Sequence, residues 1–243
     1  SSGIGREAAK QAVVKGANVF IVARKPEDLA DAVHRIEAEP GTPGVPKGII
    51  RAYQCDVTDP EAVRTTVAQI LAEHGHVDVL VNSAGRSIRR ATVDSVDRAH
   101  DYQRTMAVNY FGAVYLILEL LPHMIARKSG HVVNISSIGG KFAVPHLVPY
   151  SASKFALTGL SEGLRLALAQ TERQSRYDLN DVAATAPVCR AVPWNVAQSA
   201  VWFHEAEGLA STRRLAVPWL RTGAALSMMM TRPPMRSVTS ARM

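Results

Sequence analysis

An α/β fold with a doubly wound parallel sheet is predicted for residues 1–170 of this 243-residue chain. Three observations predict it. Apolar runs of strand length, such as Val19-Phe20-Ile21-Val22 and Val77-Asp78-Val79-Leu80-Val81, recur along the sequence. Stretches with apolar residues at helical spacing lie between them. Short segments rich in small or turn-forming residues, Cys55-Asp56-Val57-Thr58 and Asn82-Ser83-Ala84-Gly85, follow the runs. Strands that alternate with helices imply parallel pairing, with crossover helices covering both faces of the sheet.

Each element has its own signal. Residues 3–16 read as a helix, with Ala8, Ala9, Ala12 and Val13 at helical spacing. Residues 17–23 are a short apolar run suited to a buried strand. Residues 26–39 return to helical spacing, and Pro26 suits a first turn. Residues 40–48 are rich in Pro and Gly and read as a loop. A strand at 49–54, a helix at 61–74 and a strand at 77–81 follow. Residues 97–127 carry a long helical pattern that Pro122 is expected to bend. A strand at 131–135 and a helix at 150–170 complete the rhythm.

Composition sets limits. A chain of 243 residues buries one sizeable core, so one domain is expected. With 47% hydrophobic and 20% charged residues it reads as an ordinary soluble globular protein. No apolar stretch of bilayer length is free of charges and prolines, and no leader pattern is visible, so no membrane partner is expected. Cys55 and Cys189 offer neither metal spacing nor a disulfide framework, so no metal is expected and a cytoplasmic setting fits. The net charge of +7 is spread along the chain without a strong basic block, which argues against nucleic acid.

The chemistry concentrates in Tyr150-Ser151-Ala152-Ser153-Lys154. Four residues apart on a helix, Tyr150 and Lys154 share a face. A cation beside a phenol favours the phenolate, which lets the hydroxyl trade a proton near neutral pH. Ser137, thirteen residues upstream in Asn134-Ile135-Ser136-Ser137, would come from a strand end and bond the same substrate oxygen. A lone Tyr-x-x-x-Lys recurs by chance. Here it accompanies Ser2-Gly3-Ile4-Gly5, Cys55-Asp56-Val57-Thr58, Asn82-Ser83-Ala84-Gly85 and Met106-Ala107-Val108-Asn109 in order.

This ordered set resembles the classical short-chain dehydrogenase/reductase family over residues 1–170, with a Rossmann-like fold. The resemblance implies that Tyr150 is the acid or base, and that Lys154 assists it and bonds the nicotinamide ribose. It gives Ser137 the orientation of the substrate oxygen, and Asn109 a water that links Lys154 to solvent. It also implies a cofactor site at Ser2, Gly3, Ile4, Gly5, Arg24, Asp56, Val57, Asn82, Ala84 and Gly85, with Tyr150 and Lys154 beside it. Glycines at a strand-to-helix turn admit a pyrophosphate to the helix start. Ala23-Arg24-Lys25 offers bases where an acid would select NAD, so NADP is the expected cofactor and NAD less so. Asp56 reads alternatively as a turn residue, and Asn82–Gly85 as structural. Arg86, Arg89 and Arg90 would attract an acidic substrate or simply be solvated. The partners implied are a small carbonyl or alcohol substrate and a second copy of the chain in a homo-oligomer.

Both ends depart from the family pattern. Of its Thr-Gly-x-x-x-Gly-x-Gly turn only Gly3-x-Gly5 is present, and the preceding strand is expected to be missing, which would leave backbone groups unpaired at the sheet centre. Residues 171–243 form an atypical tail. It has nine Arg, no Lys, no Ile and no Pro-Gly turn, and Met228-Met229-Met230 follows no strand or helix period. The character changes near residues 170–178, as if another reading frame took over; a divergent folded lid is the alternative. The leading expectation is an NADP-dependent oxidoreductase acting on an alcohol and a ketone or aldehyde. The other is a non-catalytic remnant or nucleotide-binding fragment, inactive because both ends are incomplete.

Overall fold

A computed structural model describes residues 3–171, 195–197 and 227–231. Its elements in order are α1 Gly3–Val14, β1 Asn18–Ala23, α2 Pro26–Glu37, β2 Ile50–Gln54, α3 Pro60–His74 and β3 Val79–Asn82. Then come α4 Ala99–Met106, a π-helical turn Ala107–Phe111, α5 Gly112–Ala126, β4 His131–Asn134, α6 Val148–Thr171, β5 Asn195–Ala197 and β6 Ser227–Thr231. The strand order is β2-β1-β6-β3-β4-β5. The pairs β1–β2, β3–β4 and β4–β5 are parallel, whereas β6 runs antiparallel to both neighbours.

Burial on two faces explains the strand compositions. In β1 five of six residues are buried. Phe20 and Val22 join Val63, Val67, Ile70, Leu116, Ile117 and Leu120 on the face covered by α3 and α5. Val19 and Ile21 join Ala9, Val13, Leu29, Ala32 and Ile36 on the face covered by α1 and α2. Alternation along one strand thus feeds two cores, as a doubly wound sheet requires.

Local chemistry fixes the helix ends. In α2, Pro26 stands in the first turn with Glu27 and Asp28, and His34 and Arg35 stand in the last, matching the helix dipole. In α3, the Asp59 carboxylate accepts from Glu61 N at 2.9 Å and Ala62 N at 3.2 Å. Pro60 follows as the first helical residue, and Gly75 ends the helix at φ 80°. Asp59→Ala is expected to cost about 1 kcal/mol, the usual worth of such a cap, read from a urea melt. No change in the midpoint would show that water replaces the cap. The loop after α2 is pinned where Gly48 N donates to Val13 O at 2.9 Å. A Cβ on Gly48 would lie 1.9 Å from the Ala17 carbonyl oxygen, so only glycine fits.

Two expectations need correction. The stretch Met228-Met229-Met230, read as aperiodic, is the core of β6. Met229 packs into the α3/α5 core and Met228 into the α1/α2 core. Unbranched, polarizable methionine side chains fill both layers although they carry little strand signal. The sheet centre is accordingly not unpaired. β6 pairs with β1 from Asn18↔Thr231 to Val22↔Ser227, and with β3 from Val79↔Met230 to Asn82↔Ser227. The long helical pattern of residues 97–127 is one continuous helix from Ala99 to Ala126, with the π-helical turn Ala107–Phe111 and Pro122 inside it.

The span Ala99–Ala126 is long and apolar enough to cross a membrane by length and composition. In the fold it is a core helix, with Ala113, Leu116, Ile117, Leu120 and Met124 buried.

Candidate active site

The carboxyl ends of β3 and β4 are held together by side chains. Asn82 Nδ2 donates to Asn134 Oδ1 at 2.9 Å, and Asn134 Nδ2 donates to Ser161 Oγ on α6 at 2.8 Å. All three residues are buried. Asn82 therefore serves strand and helix packing through a side-chain chain, in line with the structural reading of its segment. Ile135 N donates to the Asn82 carbonyl at 2.9 Å and extends the pairing one residue past β4.

The chain after β4 turns tightly against α6. A Cβ on Gly140 would lie 2.6 Å from Ser136 Oγ and 2.8 Å from the Lys154 carbonyl oxygen. A Cβ on Gly139 would lie 3.3 Å from Tyr150 Cε1. These two glycines let the Ser137 loop approach the Tyr150 ring. Ser137 Oγ accepts from Gly139 N at 3.1 Å, which leaves its proton free to donate. Ser136 is buried, with Oγ 3.0 Å from Thr158 Oγ1.

Tyr150 is half-buried on the first turns of α6. Lys154 is 4% exposed, and its Nζ lies 5.8 Å from the Tyr150 ring centroid. Nζ donates to the Ile135 carbonyl oxygen at 2.8 Å. Among the described residues no carboxylate pairs with it. Burial therefore lowers its pKa from the ordinary 10.5 to about 8. The unfolded chain keeps that proton up to about 10.5, so between pH 8 and 10.5 the unfolded state binds more protons and stability rises with pH. Below about pH 8 the burial cost is fully present. Lys154→Met is expected to raise the melting temperature of the cofactor-free protein at pH 7 and to remove the rise between pH 8 and 10.5. A lower melting temperature would show that the Ile135 contact outweighs desolvation.

Asn109 lies in the π-helical turn and is buried. Its Oδ1 accepts from Arg86 N at 2.6 Å, and its Nδ2 donates to the Arg86 carbonyl at 2.9 Å and to Ser153 Oγ at 2.8 Å. The side chain is thus committed to the loop after β3 and to α6. A Cβ on Gly85 would sit 3.6 Å from Asn109 Oδ1 and 3.8 Å from Lys154 Nζ, so Gly85, Asn109 and Lys154 border one space. Sequence reasoning passed over Ser153 and Ser161, because a helical serine bonding inward has no sequence signature.

The cofactor candidates lie toward the same edge. Gly3 opens α1 at φ 65°, with open space where a side chain would stand, and no acid lies in the first turn. Gly5 is buried and Ile4 is exposed. Ser2 lies outside the described residues. Arg24 follows β1, with Nη1 3.8 Å from Asp56 Oδ2 across two exposed side chains. Asp56 Oδ1 accepts from Thr58 N at 2.9 Å and Thr58 Oγ1 at 2.8 Å, the geometry of a turn residue with its other oxygen outward. Val57 is buried against Gly112, where a Cβ would lie 2.8 Å from Val57 Cγ2. Ala84 is half-buried and packs against the α3/α5 core.

A doubly wound sheet with polar residues gathered at its carboxyl edge belongs to the class of α/β proteins that bind ligands at that edge. The family profile of the short chain dehydrogenases matches residues 1–174, and the chain belongs to that family. It is 48% identical over 164 residues to a fatty acyl-CoA reductase of Acinetobacter baylyi, covering 68% of this chain and 53% of the relative. It is 46% identical over 165 residues to an uncharacterized oxidoreductase of Mycobacterium tuberculosis, covering 68% and 47%. The chain therefore spans about half the length of these relatives. Among solved structures, a metagenomic short-chain oxidoreductase in complex with NADP matches with TM-score 0.63 at 32% identity, covering 70% of this chain and 73% of that one. A short-chain dehydrogenase from Streptomyces avermitilis matches with TM-score 0.60 at 39% identity, covering 69% and 58%.

Proposed function

We propose that this chain carries the cofactor site and the proton-transfer residues of an NADP-dependent oxidoreductase that interconverts an alcohol and a ketone or aldehyde. The observation that carries the reading is the meeting of Ser137, Tyr150, Lys154 and Asn109 at the carboxyl edge of β3 and β4. Residues 1–170 are the dinucleotide-binding and catalytic region, and residues 171–243 a distinct tail. The family match ends at residue 174, inside the stretch where the composition changes.

NADP, when bound, supplies or accepts the hydride. The protein's part is position and proton traffic. Tyr150 Oη gives its proton to the substrate oxygen during reduction and takes it back during oxidation. Ser137 Oγ, with its proton free, steadies charge on that oxygen. The Lys154 ammonium favours the phenolate and bonds the nicotinamide ribose. Asn109 is assigned the water that links Lys154 to solvent; both of its amide protons are taken by Arg86 and Ser153.

The fit to the cofactor rests on α1. Its glycine start is open and bears no acid, so a pyrophosphate at the unpaired N–H groups meets no repulsion. Ile4 and Gly5 shape that start. Asp56, Val57, Asn82, Ala84 and Gly85 line the adenosine side. Arg24 takes the extra phosphate of NADP, which replaces the weak pair with Asp56. The solved metagenomic relative in complex with NADP supports this choice. Arg24→Asp is expected to shift the NADPH-over-NADH preference by about tenfold or more, the worth of one charge-assisted contact. Equal affinity for the two cofactors in the unmodified protein, measured by fluorescence titration, would rule the assignment out.

The substrate is a small carbonyl or alcohol compound with an apolar part. Two relatives are named fatty acyl-CoA reductases, and Ile138 and Phe142, 42% and 68% exposed, lie in the turn that follows Ser137. A homo-oligomer would use α5 and α6. Phe111, Leu118 and Ile125 recur every seven residues and are exposed, as are Phe155 and Leu166. A cytoplasmic setting fits the free buried thiol of Cys55. The overall reading is tested by NADPH oxidation with a panel of aldehydes and ketones, alongside a thermal shift with NADPH and NADH. Absence of both turnover and any cofactor-induced shift would overturn it.

A further inference from the structure

We propose that Ser153 is a positioning residue that fixes the Asn109 amide and, through it, the loop that starts at Arg86. Only its kinetic consequence rests on the oxidoreductase reading above. Ser153 is fully buried, three residues after Tyr150 and one before Lys154. Its Oγ donates its proton to the Tyr150 carbonyl at 2.7 Å and accepts from Asn109 Nδ2 at 2.8 Å. One hydroxyl proton is all a serine has, so the lone pairs are left for Asn109.

The Asn109 amide has two protons. One goes to Ser153 and the other to the Arg86 carbonyl, while Oδ1 takes the Arg86 N–H. A flipped amide would set two donors face to face at Arg86 N and two acceptors at Arg86 O. The arrangement is therefore unique, and Ser153 is its anchor on the side of α6. The other side is the chain beside Gly85, whose Cβ position is 3.8 Å from Lys154 Nζ. Asn109 also stands in a π-helical turn, where the regular ladder of the helix is interrupted and side-chain bonds carry more of the geometry. Removing the Ser153 hydroxyl leaves a buried Asn109 donor without its acceptor. The amide can then rotate, and the Arg86 backbone loses its fixed partner. The bland alternative is a helical serine that merely bonds its own preceding turn. That alternative predicts a stability change with no link to Asn109 or Arg86.

Two measurements on the full chain separate these. The first is a double-mutant cycle on NADPH-dependent aldehyde reduction with Ser153→Ala, Asn109→Ala and both together. Ser153→Ala is expected to lower kcat by roughly tenfold, the rate equivalent of one buried unpaired donor, with little change in the KM for NADPH. In the Asn109→Ala background the same change is expected to cost less than about twofold, because the partner is gone. Equal losses in both backgrounds overturn the proposal, as does an unchanged kcat in the single variant.

The second measurement needs no turnover. With arginine labelled by nitrogen-15, the exchange of the Arg86 amide proton is followed by NMR. Its protection is expected to fall by roughly tenfold or more in Ser153→Ala, since its acceptor Oδ1 is no longer held. The Arg127 amide, bonded to the His123 carbonyl at 3.1 Å, serves as the reference for general loosening. Unchanged protection at Arg86, or an equal loss at Arg127, overturns the proposal. If no protein turns over any substrate, the exchange result alone decides for Ser153, and the oxidoreductase reading fails if NADPH and NADH also give no thermal shift. Should Ser153→Ala fail to fold, Ser153→Cys keeps a side chain in the space with a weak donor and acceptor, and carries the same comparisons.

Discussion

Tyr150→Phe is expected to lower turnover by about 10²–10⁴-fold, the usual contribution of a positioned acid or base. NADPH binding is expected to persist, because one hydroxyl is lost and the ring stays against Gly139. The phenol is the group through which the proposed proton passes, and the Lys154 ammonium lies 5.8 Å from its ring centroid. Lys154 is itself committed to the Ile135 carbonyl, with an ammonium pKa pulled down to about 8 by burial. A lysine so placed supports the phenol without replacing it. The decisive comparison is kcat against the dissociation constant for NADPH in the same preparation. A near-normal kcat in the Phe variant would remove Tyr150 from the proton path, and a lost cofactor affinity would show that the hydroxyl binds rather than reacts.

Met229→Asp is expected to abolish cooperative folding. Met229 is fully buried at the centre of the sheet and packs with Phe20, Leu80 and Leu116. Truncating a buried methionine alone costs about 2–5 kcal/mol. An unpaired carboxylate in that place costs more, and a domain has only about 5–15 kcal/mol in total. Met230 is half-buried, so Met230→Gln is expected to be mild. The check is far-UV circular dichroism through a thermal melt of both variants. A sharp, native-like melt for Met229→Asp would show that β6 does not hold its central place in solution.

Much of this was legible in the sequence, and the reasons differ by element. β1 and β3 announced themselves because strands buried on both faces read as unbroken apolar runs. The helices were legible from the period of Ala9 and Val13 in α1, or of Val63, Val67 and Ile70 in α3. The caps of α3 at Asp59 and Gly75 follow ordinary capping chemistry, but the reading of a helix at 61–74 rested on periodicity and did not single them out. Tyr150 and Lys154 were found by spacing, and Ser137 and Asn109 through the family resemblance, neither of which carries information on what else touches them. Hence the clasp of Asn109 on Arg86 and Ser153 was invisible, as was the chain from Asn82 through Asn134 to Ser161. β6 was missed for a different reason. Methionine favours helix in isolation, and only the slot between β1 and β3 makes Met228 and Met229 a strand.

The place of β6 has a kinetic consequence. The pairing of Val22 with Ser227 joins residues about 200 positions apart, and that pairing lies in the middle of the sheet rather than at a margin. Closing so long a loop costs entropy before any contact repays it, and topologies dominated by distant contacts fold slowly. When the denatured chain refolds, β1 and β3 each lack a neighbour on one side, with two apolar strand edges exposed, until residues 227–231 pair between them. Chaperone dependence in the cell, and aggregation when refolding is attempted at high concentration, are the expected signs of a sheet whose keystone arrives last.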